Sequence, residues 1–166
     1  MFNILKLFSG CTFYGCQTKT IPTNVVNPIS WSDTKSFIPP INGGIVIKVY
    51  DGDTITIATK LPYNSELYRF SIRLKGIDSA EIKSSSLDEQ KIAKEAKQCL
   101  TNLILNKYVS LQNLETEKYG RILADVYLGE LHINKWMLQE HLAVEYDGGT
   151  KKSPNSWIRY RLTGEK

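Results

Sequence analysis

The chain has 166 residues, which is enough for one domain that buries a hydrophobic core without covalent staples. Its net charge of +4 modestly favours an anionic partner such as nucleic acid, although a solvated basic surface explains this charge equally well. Because no segment approaches the roughly 20 apolar residues of a membrane-spanning helix, the sequence argues against an integral membrane protein.

Residues 1–40 are predicted to form a flexible or loosely docked extension. They carry scattered hydrophobic residues and four prolines, without the sustained periodicity of a strand or a helix. Half of the net charge falls here, since the segment has three lysines and one aspartate. The first eight residues are interrupted by Asn3 and Lys6, so they lack the apolar stretch of a secretory signal.

The three cysteines are an odd number for a disulfide framework, which favours a reduced, intracellular protein. Secretion, or a membrane tether through the N-terminal region, stays open. Cys99 falls on the apolar face of a predicted helix, where a buried structural thiol is expected. Cys11 and Cys16 could form a disulfide, carry acyl groups or remain plain thiols, and we prefer the last interpretation.

The first half of the remaining sequence predicts three strands. Residues 45–50 are rich in β-branched side chains, and the turn at Asp51-Gly52 predicts a hairpin because both turn positions tolerate positive φ. The return strand covers 54–58. After a polar bend, residues 68–74 alternate strictly between apolar and polar side chains, so Arg73 points away from the core face of its own strand.

The second half of the sequence predicts one long helix, two further strands and a shorter helix. Ser86 and Glu89 have capping-box spacing before an amphipathic helix that runs to about Leu105. The strands are 109–114 and 122–128, and the second helix is 131–141. His132 and His141 flank that helix at a spacing that does not put both on one face, so they do not suggest a metal pair.

Five short strands interrupted by one helix predict a mainly β, α+β fold: a five-stranded barrel of the oligonucleotide-binding (OB) type with two to three helices. We divide the chain into the extension 1–40, the folded domain 41–150 and a C-terminal tail 151–166. The tail contains the cluster 157–161 (Trp-Ile-Arg-Tyr-Arg), which either docks on the barrel or contacts nucleic acid, and docking is the ordinary expectation.

The candidate functional residues follow the third predicted strand. Asp78 and Glu81 lie three positions apart, with Arg73 five residues upstream, and such a group can hold a hard cation together with an anionic substrate. Asp-Gly-Asp-Thr at 51–54 and Lys-Tyr-Gly-Arg at 118–121 supply the same kinds of residue. Each residue alone is most simply a turn residue or a solvated charge, and Asp51 is fully explained by the hairpin. Together the three segments predict a metal-assisted phosphodiesterase site.

In this order, and with one helix between the second and the third, these three segments resemble the thermonuclease (staphylococcal nuclease-like) family. The resemblance covers roughly residues 44–146. It implies an OB-fold barrel and a Ca²⁺-dependent nuclease that acts on DNA and RNA and leaves 3′-phosphate ends.

The resemblance also implies roles for nine residues. Two carboxylates and a backbone carbonyl would bind Ca²⁺, two arginines would clamp the scissile phosphate, and a mobile glutamate would position or deprotonate the attacking water. The implied residues are Asp53, Asp78 and the Ser79 carbonyl for the metal; Arg73, Glu81 and Arg121 for catalysis; and Lys118, Tyr119 and Tyr146 for the bound nucleotide.

Two departures from the family pattern lie beside Glu81. Ala80 stands where the family usually has proline, and Ser79 where it usually has threonine. The implied ligand at Ser79 is its carbonyl, so this change removes no essential group. Loss of the proline is expected to loosen the turn that presents Glu81.

Two other functions compete with the nuclease. Barrels of this type often bind single strands without cutting them, so a catalytically silent nucleic-acid-binding module is one alternative. A scaffold in which the extension does the work is another. A degenerate copy is expected to lose a metal carboxylate or a clamp arginine, whereas this chain keeps them all. We therefore favour the enzyme, acting as a monomer.

Overall fold

The computed structural model describes residues 28–117 and 120–166. They divide after Lys35 into two compact units, which are considered separately. In the first unit, Trp31–Asp33 form a 3₁₀ turn, capped by hydrogen bonds from the Ser30 N–H and hydroxyl to Asp33. Cys11 and Cys16 lie outside the described residues. Within the described parts of the chain, every helix is too short or too polar to cross a bilayer.

The second unit contains the predicted five-stranded barrel. Its strands are β1 (Gly43–Val49), β2 (Thr54–Leu61), β3 (Asn64–Leu74), β5 (Tyr108–Thr116) and β6 (Ile122–Leu128). The order is β3-β2-β1-β5-β6, and a parallel pairing of β3 with β6 closes the sheet on itself. Three short strands lie beside the barrel. Strand β4 (Ile77–Ser79) pairs with β8 (Ala143–Glu145), and β7 (Leu131–His132) pairs with β6. The fold class predicted from the sequence is confirmed.

The interior of the barrel is filled by aliphatic side chains. On β2 and β3, Ile55, Ile57, Ile72 and Leu74 are completely buried, as the alternation along β3 predicts. Full burial of each such side chain contributes about 1.5–3 kcal/mol relative to exposure. Arg73, between two of them, points out of this core, so the strand delivers this charged side chain to the opposite face.

Helix α1 (Leu87–Ile104) covers the barrel with the apolar face that its periodicity predicts. Ser86 caps the helix by accepting a hydrogen bond from the Glu89 N–H. The predicted capping box is only half formed, because the Glu89 carboxylate accepts hydrogen bonds from the Glu81 N–H and the Ser84 hydroxyl. Cys99 is partly buried on the core side of α1, and burial raises the pKa of its thiol.

The second predicted helix, 131–141, is too long. Helix α2 covers only Ile133–Gln139, because Leu131 and His132 pair with β6 and His141 adopts a left-handed backbone with φ of 54°. Asn134 is its buried polar residue. The Asn134 amide donates to the carbonyls of Lys75 and Ala124 and accepts from the Val126 N–H, so it ties α2 to β6 and to the end of β3.

The C-terminal tail docks on the domain, as we preferred from the sequence. Helix α3 (Trp157–Thr163) buries Trp157 and Tyr160 in a second apolar cluster, which also contains Ala80, Ile92 and Val144. Through Ala80, this cluster contacts the residue directly before Glu81. The tail therefore packs against the segment that carries Glu81.

Candidate active site

A cleft of about 1030 Å³ contains most of the predicted site residues. It lies where the β1–β2 loop, the end of β3, strand β4 and the segment after β8 meet. The strand register explains this meeting. Thr54 pairs with Arg73, which puts Asp53 beside that arginine, and Arg73 pairs with Leu123, two residues beyond Arg121. Since alternate residues of a strand share a face, Arg121 and Arg73 point toward the same cleft.

Asp53 is held in place by a tight loop. Gly52 is buried and has no positive φ, so the reason predicted for this glycine is wrong. The glycine is needed because a Cβ there would lie 2.7 Å from Cβ of Ser79 and 3.0 Å from Cβ of Ala96. Close approach of the loop to β4 then allows the Ser79 N–H to donate to Oδ2 of Asp53, at 2.8 Å.

Arg73 bridges the two predicted metal carboxylates. Its Nη1 donates to Oδ1 of Asp53 and its Nη2 to Oδ1 of Asp78, both at 2.5 Å. All three residues are buried, with 3% of Asp53, 9% of Arg73 and 8% of Asp78 exposed. Burial lowers the pKa of Arg73, but the neighbouring Asp53 and Asp78 outweigh this effect, so its pKa is raised overall. The guanidinium is therefore a fixed positive charge.

Asp51, to which the sequence reasoning gave no chemical role, also lines the cleft. Burial, together with the negative charge of Asp53, raises the pKa of Asp51 to about 6. Oδ1 of Asp51 accepts a hydrogen bond from the Asp53 N–H at 3.1 Å. This carboxyl therefore both shapes the loop and adds to the acidic group.

Lys151 completes the ion-pair network, and the sequence reasoning missed it. Its Nζ lies 2.7 Å from Oδ2 of Asp78, 2.8 Å from the Ser79 carbonyl oxygen and 3.6 Å from Oε1 of Glu81. The segment that carries Lys151 was expected to be a tail outside the folded domain. In the part of the chain that the structure describes, Arg73 thus pairs with Asp53 and Asp78, and Lys151 with Asp78 and Glu81.

Glu81 lies at the edge of the cleft with about two thirds of its side chain exposed. Its backbone is fixed, since the Glu81 N–H donates to Glu89 at 3.1 Å and its carbonyl accepts from the Ser84 N–H at 3.2 Å. Ala80 is buried in the cluster under α3. These contacts brace the turn where the family usually has a proline, and they leave the carboxylate free to move.

Arg121 lines the cleft, but its guanidinium is bound to a carboxylate of the chain. Its Nε and Nη2 donate to the two carboxylate oxygens of Glu117, at 2.6 and 3.0 Å. Glu117 was not singled out from the sequence. A phosphate would have to compete with this carboxylate for the N–H donors of the Arg121 guanidinium.

Of the residues assigned to the nucleotide, Tyr146 lies in the cleft. Its ring centroid is 5.9 Å from Cζ of Arg73, its N–H donates to the Gly76 carbonyl, and its hydroxyl donates to the Gly149 carbonyl. Tyr146 is thereby fixed at the end of β8, beside the guanidinium. Lys118 and Tyr119 lie outside the described residues.

The sequence of the chain matches a known protein family. A family model described as Staphylococcal nuclease homologue matches residues 71–159, just over half of the chain. The chain belongs to the staphylococcal nuclease homologue family. The resemblance inferred from the three motifs is confirmed. The match spans Arg73, Asp78, Glu81 and Arg121, whereas Asp53 precedes it.

Individual relatives of the staphylococcal nuclease homologue family support this assignment. A thermonuclease of Staphylococcus hyicus is 32% identical over 100 residues, which cover 59% of this chain and 56% of the relative. A probable endonuclease of Schizosaccharomyces pombe is 34% identical over 155 residues, 80% of this chain and 66% of the relative. The probable endonuclease LCL3 of Phaeosphaeria nodorum is 33% identical over 78 residues, 47% of this chain and 25% of the relative. The chain thus spans less than two thirds of the length of each.

The donor atoms of the cleft suit the hard divalent cation associated with this family. Asp53, Asp78 and the Ser79 carbonyl present only oxygen, the element that Ca²⁺ and Mg²⁺ prefer. Asp78 and the Ser79 carbonyl already hold a cation, the ammonium of Lys151. Among residues 28–117 and 120–166, however, no three acidic, histidine or cysteine side chains form a ready metal cage. The donor chemistry fits a cation that shares its remaining positions with water and substrate.

Proposed function

We propose that this domain hydrolyses phosphodiester bonds of DNA and RNA with the help of Ca²⁺ and leaves 3′-phosphate ends. The observation that carries the proposal is the convergence of Asp53, Arg73, Asp78, the Ser79 carbonyl and Glu81 in one cleft of a staphylococcal nuclease homologue. These groups are distant along the chain. Hydrogen-bonded contact between them at 2.5–2.8 Å links Asp53, Arg73, Asp78 and Ser79 directly.

The chemistry requires that the negative charge of the phosphate be offset and that water be held in line. When bound, Ca²⁺ supplies charge neutralisation at the phosphoryl oxygens. Asp53, Asp78 and the Ser79 carbonyl are its proposed ligands. Arg73 anchors both carboxylates and the Ser79 N–H anchors Asp53, which keeps these oxygens oriented before the substrate arrives.

The two arginines are proposed to clamp the phosphate. Each guanidinium donates two hydrogen bonds in a plane that matches two phosphoryl oxygens, and each stays charged at any relevant pH. Arg121 has to leave Glu117 for this purpose, and Arg73 has to use N–H groups other than the two that hold Asp53 and Asp78. An arginine recruited in this way contributes most when charge builds on the phosphoryl oxygens in the transition state.

Glu81 is proposed to position the attacking water and accept its proton. The carboxylate is exposed, and within residues 28–117 and 120–166 its ion-pair partner is Lys151, 3.6 Å away, while its backbone N–H is held by Glu89. A mobile carboxylate on a fixed backbone suits a general base. Tyr146, Lys118 and Tyr119 are proposed to contact the nucleotide.

The test is digestion of 5′-labelled oligonucleotides, as single-stranded and double-stranded DNA and RNA, with Ca²⁺ or with chelator. We expect cleavage only with Ca²⁺, and products whose mobility shifts after phosphatase treatment because they carry 3′-phosphates. Glu81→Gln should lose most cleavage, whereas Glu130→Gln, in an exposed turn, should cleave normally. Binding of oligonucleotide without cleavage in Ca²⁺ would favour the silent binding module instead. Sedimentation of the active species tests the proposed monomer.

A further inference from the structure

Lys151 occupies the oxygen atoms that the proposed cation needs. Its ammonium is 2.7 Å from Oδ2 of Asp78 and 2.8 Å from the Ser79 carbonyl oxygen, with Oε1 of Glu81 at 3.6 Å. Asp78 and the Ser79 carbonyl are two of the three proposed protein ligands. About a quarter of the lysine side chain is exposed, so it is only partly shielded from solvent.

The ammonium and a divalent ion cannot share these oxygens. A Ca²⁺ ion binds carboxylate and carbonyl oxygens at about 2.3–2.6 Å, so an ammonium on the same two atoms would lie within about 4 Å of it and be repelled. The ammonium would also occupy space in which water or the phosphate has to reach the ion. Metal binding therefore requires Lys151 to leave.

The chain around Lys151 allows such a movement. Residues 146–156 connect β8 to α3 without a helix or a strand of their own. The connection contains Gly148, with a φ of 93°, and Gly149. Trp157, at the start of α3, is buried and anchors the far end. The Lys151 ammonium is 5.8 Å from the centroid of the Trp157 ring, so a short withdrawal keeps it near an aromatic surface.

We propose that Lys151 is a built-in competitor of the divalent cation and determines how tightly this site binds it. The inference rests on the proposed function, because it takes Asp78 and the Ser79 carbonyl as metal ligands. In the metal-free protein, the lysine compensates the acidic group. In the metal-bound protein, the lysine is displaced toward solvent, where its charge is available to a bound phosphodiester.

Calorimetric titration with Ca²⁺ tests the competition without reference to activity. Lys151→Met keeps the length of the side chain and removes the charge, so the variant should bind Ca²⁺ roughly 5- to 150-fold more tightly than the wild type, the usual range for coupled binding events. Lys152→Met is the matched control, because Lys152 is exposed, and it should bind like the wild type. Equal affinity of the wild type and Lys151→Met would overturn the competition and leave the proposed nuclease standing. Absence of Ca²⁺ binding in both would overturn the competition and the proposed metal site together.

Chemical labelling of the wild-type protein gives a second test. Lys151 should react slowly with an amine-acetylating reagent in chelator, because its ammonium is held by Asp78 and Ser79, and faster when Ca²⁺ is present. Lys152 provides the internal standard in the same peptide digest. A Lys151 rate that Ca²⁺ does not change, in protein that binds Ca²⁺ by calorimetry, would contradict the displacement.

Discussion

Replacing Arg73 by methionine should destabilise the domain strongly. Methionine retains much of the side-chain volume but leaves Asp53 and Asp78 buried, each without the partner that now lies 2.5 Å away. Removing one partner of a buried ion pair costs about 3–5 kcal/mol, which is a large part of the 5–15 kcal/mol typical of a whole domain. The melting temperature should fall by roughly 10–15 °C.

Urea unfolding followed by circular dichroism, in chelator and in Ca²⁺, measures this loss. Ca²⁺ should restore part of the stability of Arg73→Met, because a cation held by the folded state stabilises it by mass action. Arg69→Met is the matched control: Arg69 lies on the same strand and face but is exposed, so its loss should change the free energy of unfolding by less than about 0.5 kcal/mol. A loss below about 1 kcal/mol for Arg73→Met would refute the claim that the guanidinium holds the two carboxylates together.

Three further predictions concern Asn134, Trp157 and Arg121. Asn134→Leu removes three hydrogen bonds and should lower the free energy of unfolding by about 2–4 kcal/mol. The control Lys135→Leu changes an exposed residue and should leave this free energy nearly unchanged. Equal stability of the two variants would contradict the prediction. Trp157→Ala should cost about 3–5 kcal/mol by urea unfolding, with exposed Leu162→Ala as control, and a wild-type midpoint would argue against docking of the tail. Arg121→Lys should lower kcat for oligonucleotide hydrolysis about 100-fold or more, and an unchanged kcat would remove Arg121 from the mechanism.

Much of the barrel could be predicted because its strands have local sequence patterns that identify them. The run 68–74 alternates between apolar and outward polar residues, and the turn at Asp51-Gly52 separates two β-branched runs. The same reasoning failed where local pattern is weak. Strand β3 begins at Asn64, several residues before the alternation, because pairing with β2 carries it through exposed residues. The second helix begins later than its periodicity predicts, because Leu131 and His132 pair with β6.

The candidate site could be predicted only in part. Asp53, Arg73 and Asp78 were grouped because their motifs occur in order along the chain, and the strand register brings them together. Lys151 reaches the Ser79 carbonyl from 72 positions away, and a lysine in a glycine-rich stretch has no local signal for that contact. Such long-range ion pairs depend on where loops fold back, which no period in the sequence encodes.

The central claim is that Asp53 and Asp78 share one divalent cation that hydrolysis requires. The most direct measurement follows Ca²⁺ binding by calorimetry and oligonucleotide hydrolysis on the same preparations of wild type, Asp53→Asn and the exposed control Asp88→Asn. Asparagine keeps the shape of the side chain and can still accept one of the two hydrogen bonds, from Arg73 or from the Ser79 N–H. Circular dichroism of each preparation checks that the fold is intact. The account predicts that Asp53→Asn loses both Ca²⁺ binding and hydrolysis while Asp88→Asn keeps both. Wild-type binding or wild-type hydrolysis by folded Asp53→Asn would contradict it.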